Sequence, residues 1–161
     1  VVSKRAAGGI DSYPGYLAPA INECVNPVSD RDVSGAISLY ATARRGASHE
    51  LNIDIAEDEL VFFTLGVDVR WYMYTLTGMV RSKSFTRDDL LRRRSVGSKE
   101  AWEAEKYYFL PLEPFEVAKF MREISSTEKW APYGVVCLIQ ALISEFGVKL
   151  TERALNKYPP L

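Results

Sequence analysis

Apolar positions recur at helical spacing over most of the chain. Val33, Ala36, Ile37, Tyr40 and Ala41 form one stripe, with Ser29 or Asp30 placed as a cap, Arg44 and Arg45 in the last turn and Gly46 beyond it. Asp54 followed by Glu57 reads as a capping box that opens a helix over 55–65, through Leu60, Phe63 and Thr64 to a stop at Gly66. Thr86 ahead of Arg87, Asp88 and Asp89 predicts a helix running to Ser95, because a hydroxyl cap followed by acids suits a helix start. Ser98 caps another, with Ala101, Trp102, Glu105, Tyr108 and Phe109 on one face. Pro114 fits a first helical position, and Phe115, Ala118, Met121 and Ile124 follow at helical spacing. Tyr133 to Phe146 is apolar nearly all round, apart from Gln140, Ser144 and Glu145, which predicts a central buried helix closed by Gly147. A short helix near Leu150 to Asn156 completes the series.

Two segments resist this pattern. Residues 1–28 carry Gly8, Gly9, Pro14, Gly15, Pro19 and Pro27, too many breakers for a long helix, and read as an extended arm whose Tyr13, Tyr16, Leu17 and Ile21 can pack on a surface. Farther on, Leu51, Ile53 and Ile55 alternate, as do Val67, Val69, Trp71, Met73 and Thr75, in the manner of strands. The expectation is therefore a mainly α fold: a compact bundle of six to seven helices around a buried helix at 133–146. An extended arm (1–28) would precede a single helical domain (29–158) and a tail (159–161). The alternative is an α+β fold with a small antiparallel meander at 51–77.

Composition supports a folded chain: 161 residues, 47% hydrophobic and 25% charged, are enough for one core and too apolar for a disordered segment. Cys24 and Cys137 lie far apart, without the several bridges of a small secreted domain, which predicts a reducing, intracellular setting, cytoplasmic or nuclear. The longest apolar run, near Val135 to Ile143, falls short of the roughly 20 residues that span a bilayer, so no membrane partner is expected.

Motifs for chemistry fail one by one. A zinc or haem site needs several spaced ligands, and the chain has one histidine, His49, and no Cys-x-x-Cys. There is no Gly-x-Ser-x-Gly elbow, and Gly97-Ser98-Lys99 lacks the rest of a phosphate loop. A Cys24–His49 dyad would need a contact that sequence distance alone does not supply. Carboxylates at Glu57, Asp58 and Glu59, and at Asp88 and Asp89, stand where a helix dipole favours acids without any function. The expectation is a non-enzymatic protein that needs neither cofactor nor metal.

Charge is what remains. The net charge is −1, yet 50–69 holds six acids and no base, whereas 81–94 holds Arg81, Lys83, Arg87, Arg92, Arg93 and Arg94 against Asp88 and Asp89. Five of those six bases are arginine, whose fork grips phosphate and stacks on bases, so they predict phosphate contacts, enlarged by Arg44 and Arg45 where the fold brings them near. Nucleic acid is the expected partner, RNA ahead of DNA. Glu50, Asp54, Glu57, Asp58 and Glu59 offer a complementary face through which copies could associate head to tail. Together these suggest a self-assembling, capsid- or nucleocapsid-like coat on nucleic acid. The alternatives are a protein-interaction or regulatory domain and, third, an enzyme without a recognisable motif. Ser95, after Arg92-Arg93-Arg94, is a candidate phosphorylation site whose modification would cut the local positive charge.

Overall fold

Breaker-rich residues near the start of the chain pair into a sheet. In the computed structural model, which describes residues 1–9, 12–82 and 84–159, β1 (Val2–Arg5) lies antiparallel to β2 (Leu17–Pro19) on one side and to β5 (Ala104–Tyr108) on the other. Val2 stands opposite both Pro19 and Tyr108, and a bulge falls between Lys4 and Arg5. Pro19, which has no N–H to give a ladder, is placed on an edge strand, where its lack costs least. The other elements are α1 (Leu39–Leu51), the hairpin strands β3 (Leu60–Asp68) and β4 (Met73–Val80), α2 (Arg87–Gly97), α3 (Pro114–Ile124), α4 (Pro132–Phe146) and α5 (Val148–Lys157).

The fold is α+β, with five α-helices and two antiparallel sheets among the described residues, and not a bundle of six to seven helices. Each departure has a local cause. The helix expected from Ser98 to Phe109 is a short 3-10 turn (Ala101–Glu103) followed by β5, because β1 offers Ala104 to Tyr108 a backbone ladder that outweighs an ambiguous apolar spacing. The helix expected over 55–65 gives way at Leu60 to β3, whose Val61, Phe62, Phe63 and Thr64 are β-branched or aromatic. The antiparallel pairing runs between Leu60–Asp68 and Met73–Val80, while Leu51, Ile53 and Ile55 are buried outside any strand. The extended arm expected at 1–28 contributes β1 and β2.

The chain divides into two compact units. The first comprises Val1–Pro19, Phe62–Met79 and Ala104–Leu161. Its core joins Val117 and Met121 of α3 to Leu142 of α4, with Trp130, Leu138 and Phe146 packed around them. A second cluster holds Tyr13, Ala18, Ala131 and Tyr133. Gly134 lets α4 meet β2, since a Cβ there would stand 3.2 Å from the Leu17 carbonyl oxygen and 3.3 Å from Ala18 Cα. The Leu17 and Ala131 N–H groups donate to Lys129 O at 2.7 Å and Leu17 O at 2.9 Å, tying the segment before α4 to the same strand. Gly147 ends α4 as the sequence predicts, and Pro132, whose fixed φ suits a first helical position, opens it.

The second unit comprises Ala20–Val61 and Val80–Glu103. α1 starts at Leu39, well after Asp30, because the Asp32 carboxylate accepts from the N–H groups of Ser34 and Ala36 and holds a turn there. Ser38 supplies the cap, accepting from Ala41 N at 3.2 Å. Gly46 is inside α1, not beyond it: a Cβ there would stand 2.8 Å from Glu23 Cβ and 2.9 Å from Ile21 Cγ2. Asn52 ends the helix with a left-handed φ of 54°.

Candidate nucleic-acid interface

Helix α2 carries most of the expected phosphate contacts. Thr86 and Asp89 cap it reciprocally, Thr86 Oγ1 accepting from Asp89 N at 3.2 Å and Asp89 Oδ2 accepting from Thr86 N at 3.2 Å. The hydrogen bonds to Thr86 hold the Asp89 carboxyl below its ordinary range, with Arg92 adding to the effect. Its C-terminal end is anchored to the end of α1: Asn52 Nδ2 donates to Arg93 O at 3.1 Å, and Ser98 Oγ lies 2.7 and 2.8 Å from the carbonyl oxygens of His49 and Glu50. No residue of α2 is buried.

The structure divides the expected cations into two groups. Arg81, Arg87, Arg92 and Arg93 are exposed. Arg92 bridges to Asp89 at 2.8 Å along the helix, and the Arg93 guanidinium lies 5.1 Å from the centre of the Phe85 ring. Arg94 is half-buried and donates to the Ala101 carbonyl. Arg44 bridges to Asp54 at 3.3 Å, so one expected base and one expected acid meet within the same unit. Lys83 lies outside the described residues.

Arg45 belongs to the fold. Its Nε and Nη2 each stand 2.8 Å from the Asp30 carboxylate, its Nη1 stands 2.8 Å from Glu23 Oε2, and Nη2 also donates to Cys24 O at 2.6 Å. Asp30 is 1% exposed and further accepts from Asn26 N and Thr42 Oγ1, both at 2.8 Å. The Arg45 guanidinium, helped by those donors, holds the Asp30 carboxyl well below the usual carboxylate range, and Asp30 raises Arg45 in return.

The acidic set is divided in the same way. Glu50 is buried and accepts from Asn22 N at 2.6 Å. Glu57 and Asp58 are exposed in a 3-10 turn that Glu59 closes by accepting from Ala56 N at 3.1 Å. Ser95 is exposed at the surface of α2, with its hydroxyl donating to Arg92 O at 2.8 Å. Glu23, His49 and Glu100 bring three ligand atoms within 4.8 Å of one another, with His49 Nδ1 3.4 Å from Glu100 Oε1. Glu23 already spends its carboxylate on Arg45, which sets a positive charge where a cation would bind.

The chain matches no protein-family model, no curated protein and no solved structure.

Sequence reasoning passed over two features of the first unit. Along the hairpin, Leu65, Val67, Val69, Tyr72 and Tyr74 are exposed, an apolar series that a solvated strand pair does not need. Beside it lies a cavity of about 440 Å³ bordered by Tyr13, Tyr16, Trp130 and Tyr133 together with hairpin residues. Tyr13 takes a left-handed φ of 51° and donates from its hydroxyl to Asp68 Oδ2 at 2.5 Å. Burial and that carboxylate push its phenol up to about 12. The cluster of tyrosines at 13 and 16 was visible in the sequence; their meeting with Tyr133 was not, since it depends on how β2 and α4 pack. No helix among the described residues is long and apolar enough to cross a membrane.

Proposed function

We propose that this chain is a non-enzymatic protein that binds single-stranded nucleic acid, RNA ahead of DNA, through the arginine face of α2. The observation that carries the reading is that α2 buries none of its residues while exposing Arg87, Arg92 and Arg93, with Arg81 exposed just ahead of it. On a helix whose side chains are all exposed or half-buried, these arginines stand where phosphates can reach them. Arg92 can leave Asp89 at small cost, because exposed pairs of this kind are worth only about 0.2–1 kcal/mol. Arg45 is set aside as a contact, since Asp30 and Glu23 already hold it. Both cysteines are unbridged, which suits a reducing cytoplasmic or nuclear setting.

The test is binding of a labelled single-stranded RNA followed by fluorescence anisotropy across a salt series. Three phosphate contacts on a single strand predict a slope of about −2 in log K against log salt, and so about 20-fold weaker binding on raising salt from about 50 to 200 mM. Replacing Arg92 and Arg93 together by Ala should flatten the slope by about 1.4 and weaken binding alike for all sequences. Absent or salt-independent binding would overturn the proposal.

A second reading, association of two copies, is favoured by the exposed apolar side chains of the hairpin. Two identical hairpins can pack face to face about a twofold axis, which covers Leu65, Val67 and Tyr74 together. Light scattering should then give twice the chain mass, falling to one chain for Leu65→Lys with Tyr74→Lys. A monomer at every concentration would refute it.

A further inference from the structure

The last turn of α2 carries a serine directly behind three arginines. In Arg92-Arg93-Arg94-Ser95-Val96 the arginines three and two residues ahead of Ser95 are exposed, Ser95 itself is exposed, and Val96 after it is 82% exposed. Resting on the reading of α2 above, we infer that Ser95 is a phosphorylation switch: a serine kinase directed by arginine modifies it, and the phosphate draws Arg92 away from the nucleic acid.

A kinase takes its substrate as an extended segment, so the serine must be reachable and the turn around it must open. α2 buries none of its residues, and Ser95 lies two residues before its end at Gly97. Local opening costs little where few apolar contacts are buried. What holds this turn to the rest of its unit is a pair of hydrogen bonds, Asn52 Nδ2 to Arg93 O at 3.1 Å and Arg94 to the Ala101 carbonyl. Once the turn is extended, Arg92 and Arg93 present two cations to an acidic groove, and Val96 sets an apolar side chain just past the hydroxyl. In the transfer, Ser95 Oγ attacks the γ-phosphorus of ATP and the bond to the bridging oxygen breaks. ADP leaves with that electron pair, and the hydroxyl proton passes to the kinase's catalytic aspartate.

The phosphate brings a charge of about −1.5 to −2 and three strong acceptor oxygens. Arg92 stands three residues before Ser95, the same spacing that already lets it bridge to Asp89 on its other side at 2.8 Å. The Ser95 hydroxyl now donates to Arg92 O at 2.8 Å, so the modified oxygen starts one turn from the guanidinium stem. A dianion attracts a guanidinium more strongly than one carboxylate does, so Arg92 turns from Asp89 to the phosphate. Strand contacts then fall from three to two, those of Arg87 and Arg93, and the new charge repels the strand's own phosphates. Near the C-terminal end of α2 the phosphate also opposes the helix dipole, which loosens the turn that carries Arg93.

Incubating the full chain with Mg-ATP and the catalytic subunit of cyclic-AMP-dependent protein kinase tests it, with mass spectrometry of the intact chain and its fragments to count and place the phosphate. The parent should gain a single phosphate on Ser95, and Ser95→Ala, whose thermal melt should match the parent's, should gain none. Anisotropy with the labelled RNA then reads the switch. At about 50 mM salt the modified chain should bind at least about eightfold more weakly, the effect of one lost contact on a single strand, and its salt slope should shrink from about −2 to about −1.4. Phosphatase treatment should restore the parent's affinity, and Ser95→Ala should bind like the parent with or without kinase. The two proposals fail separately. A parent that binds no RNA overturns the reading of α2 and the switch with it, whereas a parent that binds RNA no better than its phosphorylated form overturns the switch alone. No uptake of phosphate, or uptake by Ser95→Ala equal to the parent's, overturns the site.

Discussion

Replacing Asp30 with Asn should destabilise the second unit by about 3 kcal/mol, the lower end of the range for breaking a buried ion pair. The carboxylate, 1% exposed, accepts two bonds from Arg45 and one each from Thr42 and Asn26, all at 2.8 Å. Asn removes the charge and turns one acceptor oxygen into a donor that faces another donor. The loss stays at the lower end because Glu23 Oε2, 2.8 Å from Arg45 Nη1, still compensates the guanidinium. With a urea m-value of about 2 kcal/mol/M, the unfolding midpoint should fall by about 1.5 M. Arg45→Met should cost a similar amount, and the double variant only slightly more than either, giving a coupling of about 2 kcal/mol. The pH dependence has a definite sign. Asp30 is depressed in the folded state, so its contribution is complete above the unfolded carboxylate pKa of about 3.9 and is lost as pH falls below it. The gap between parent and Asp30→Asn should therefore be full at neutral pH and close below about pH 4. A midpoint shift under about 0.3 M, or losses that simply add in the double variant, would refute the reasoning.

Three further substitutions test other parts of the packing. Gly46→Ala should lower stability by about 1 kcal/mol despite a better helix propensity, because the new Cβ would stand 2.8 Å from Glu23 Cβ; a thermal melt a few degrees lower checks this, and a higher one contradicts it. Gly147→Ala, at φ 80° and ψ 162° between α4 and α5, should cost about 1–3 kcal/mol through backbone strain alone, since nothing lies within 4 Å of the added carbon. Leu142→Ala, fully buried against Val117 and Met121, should cost about 3 kcal/mol in urea unfolding, and a cost below about 1 would place Leu142 outside the core.

Local chemistry made several helix boundaries legible, although the Ser38 cap of α1 was passed over and Ser98 opens no α-helix. Thr86 and Pro114 each act within one turn of the chain, and α2 and α3 start where they predict, as α4 ends at Gly147. Gly46 misled because a glycine that stops a helix and a glycine that lets another segment approach look identical in sequence; Ile21 and Glu23 make it the second kind. β5 was illegible for a related reason. Tyr107 and Tyr108 suit either a helix face or a strand, and what decides is β1, about a hundred residues earlier in the chain.

The same distinction governs the charges. Counting residues marks 81–94 as basic and 50–69 as acidic, but it cannot separate an ion that serves the fold from one that faces solvent. Arg45 and Arg92 look alike in a charge count. One is held by a buried carboxylate with five donor atoms around it, and the other bridges to a half-exposed acid that it can release. A buried pair resists exchange because each partner left alone would be an unsolvated charge, whereas an exposed arginine gives up its neighbour for a phosphate at little cost. Burial therefore sets Arg45 and Arg94 apart from the exposed arginines, of which Arg87, Arg92 and Arg93 share α2. The three arginines of α2 are what fix the expected salt slope, and each additional phosphate contact, from exposed Arg44 or half-buried Arg45, would make it steeper than −2 by about 0.7. A measured slope near −2 would thus support a contact set confined to α2, and one of about −3.5 would show that Arg44 and Arg45 exchange Asp54 and Asp30 for phosphate on binding.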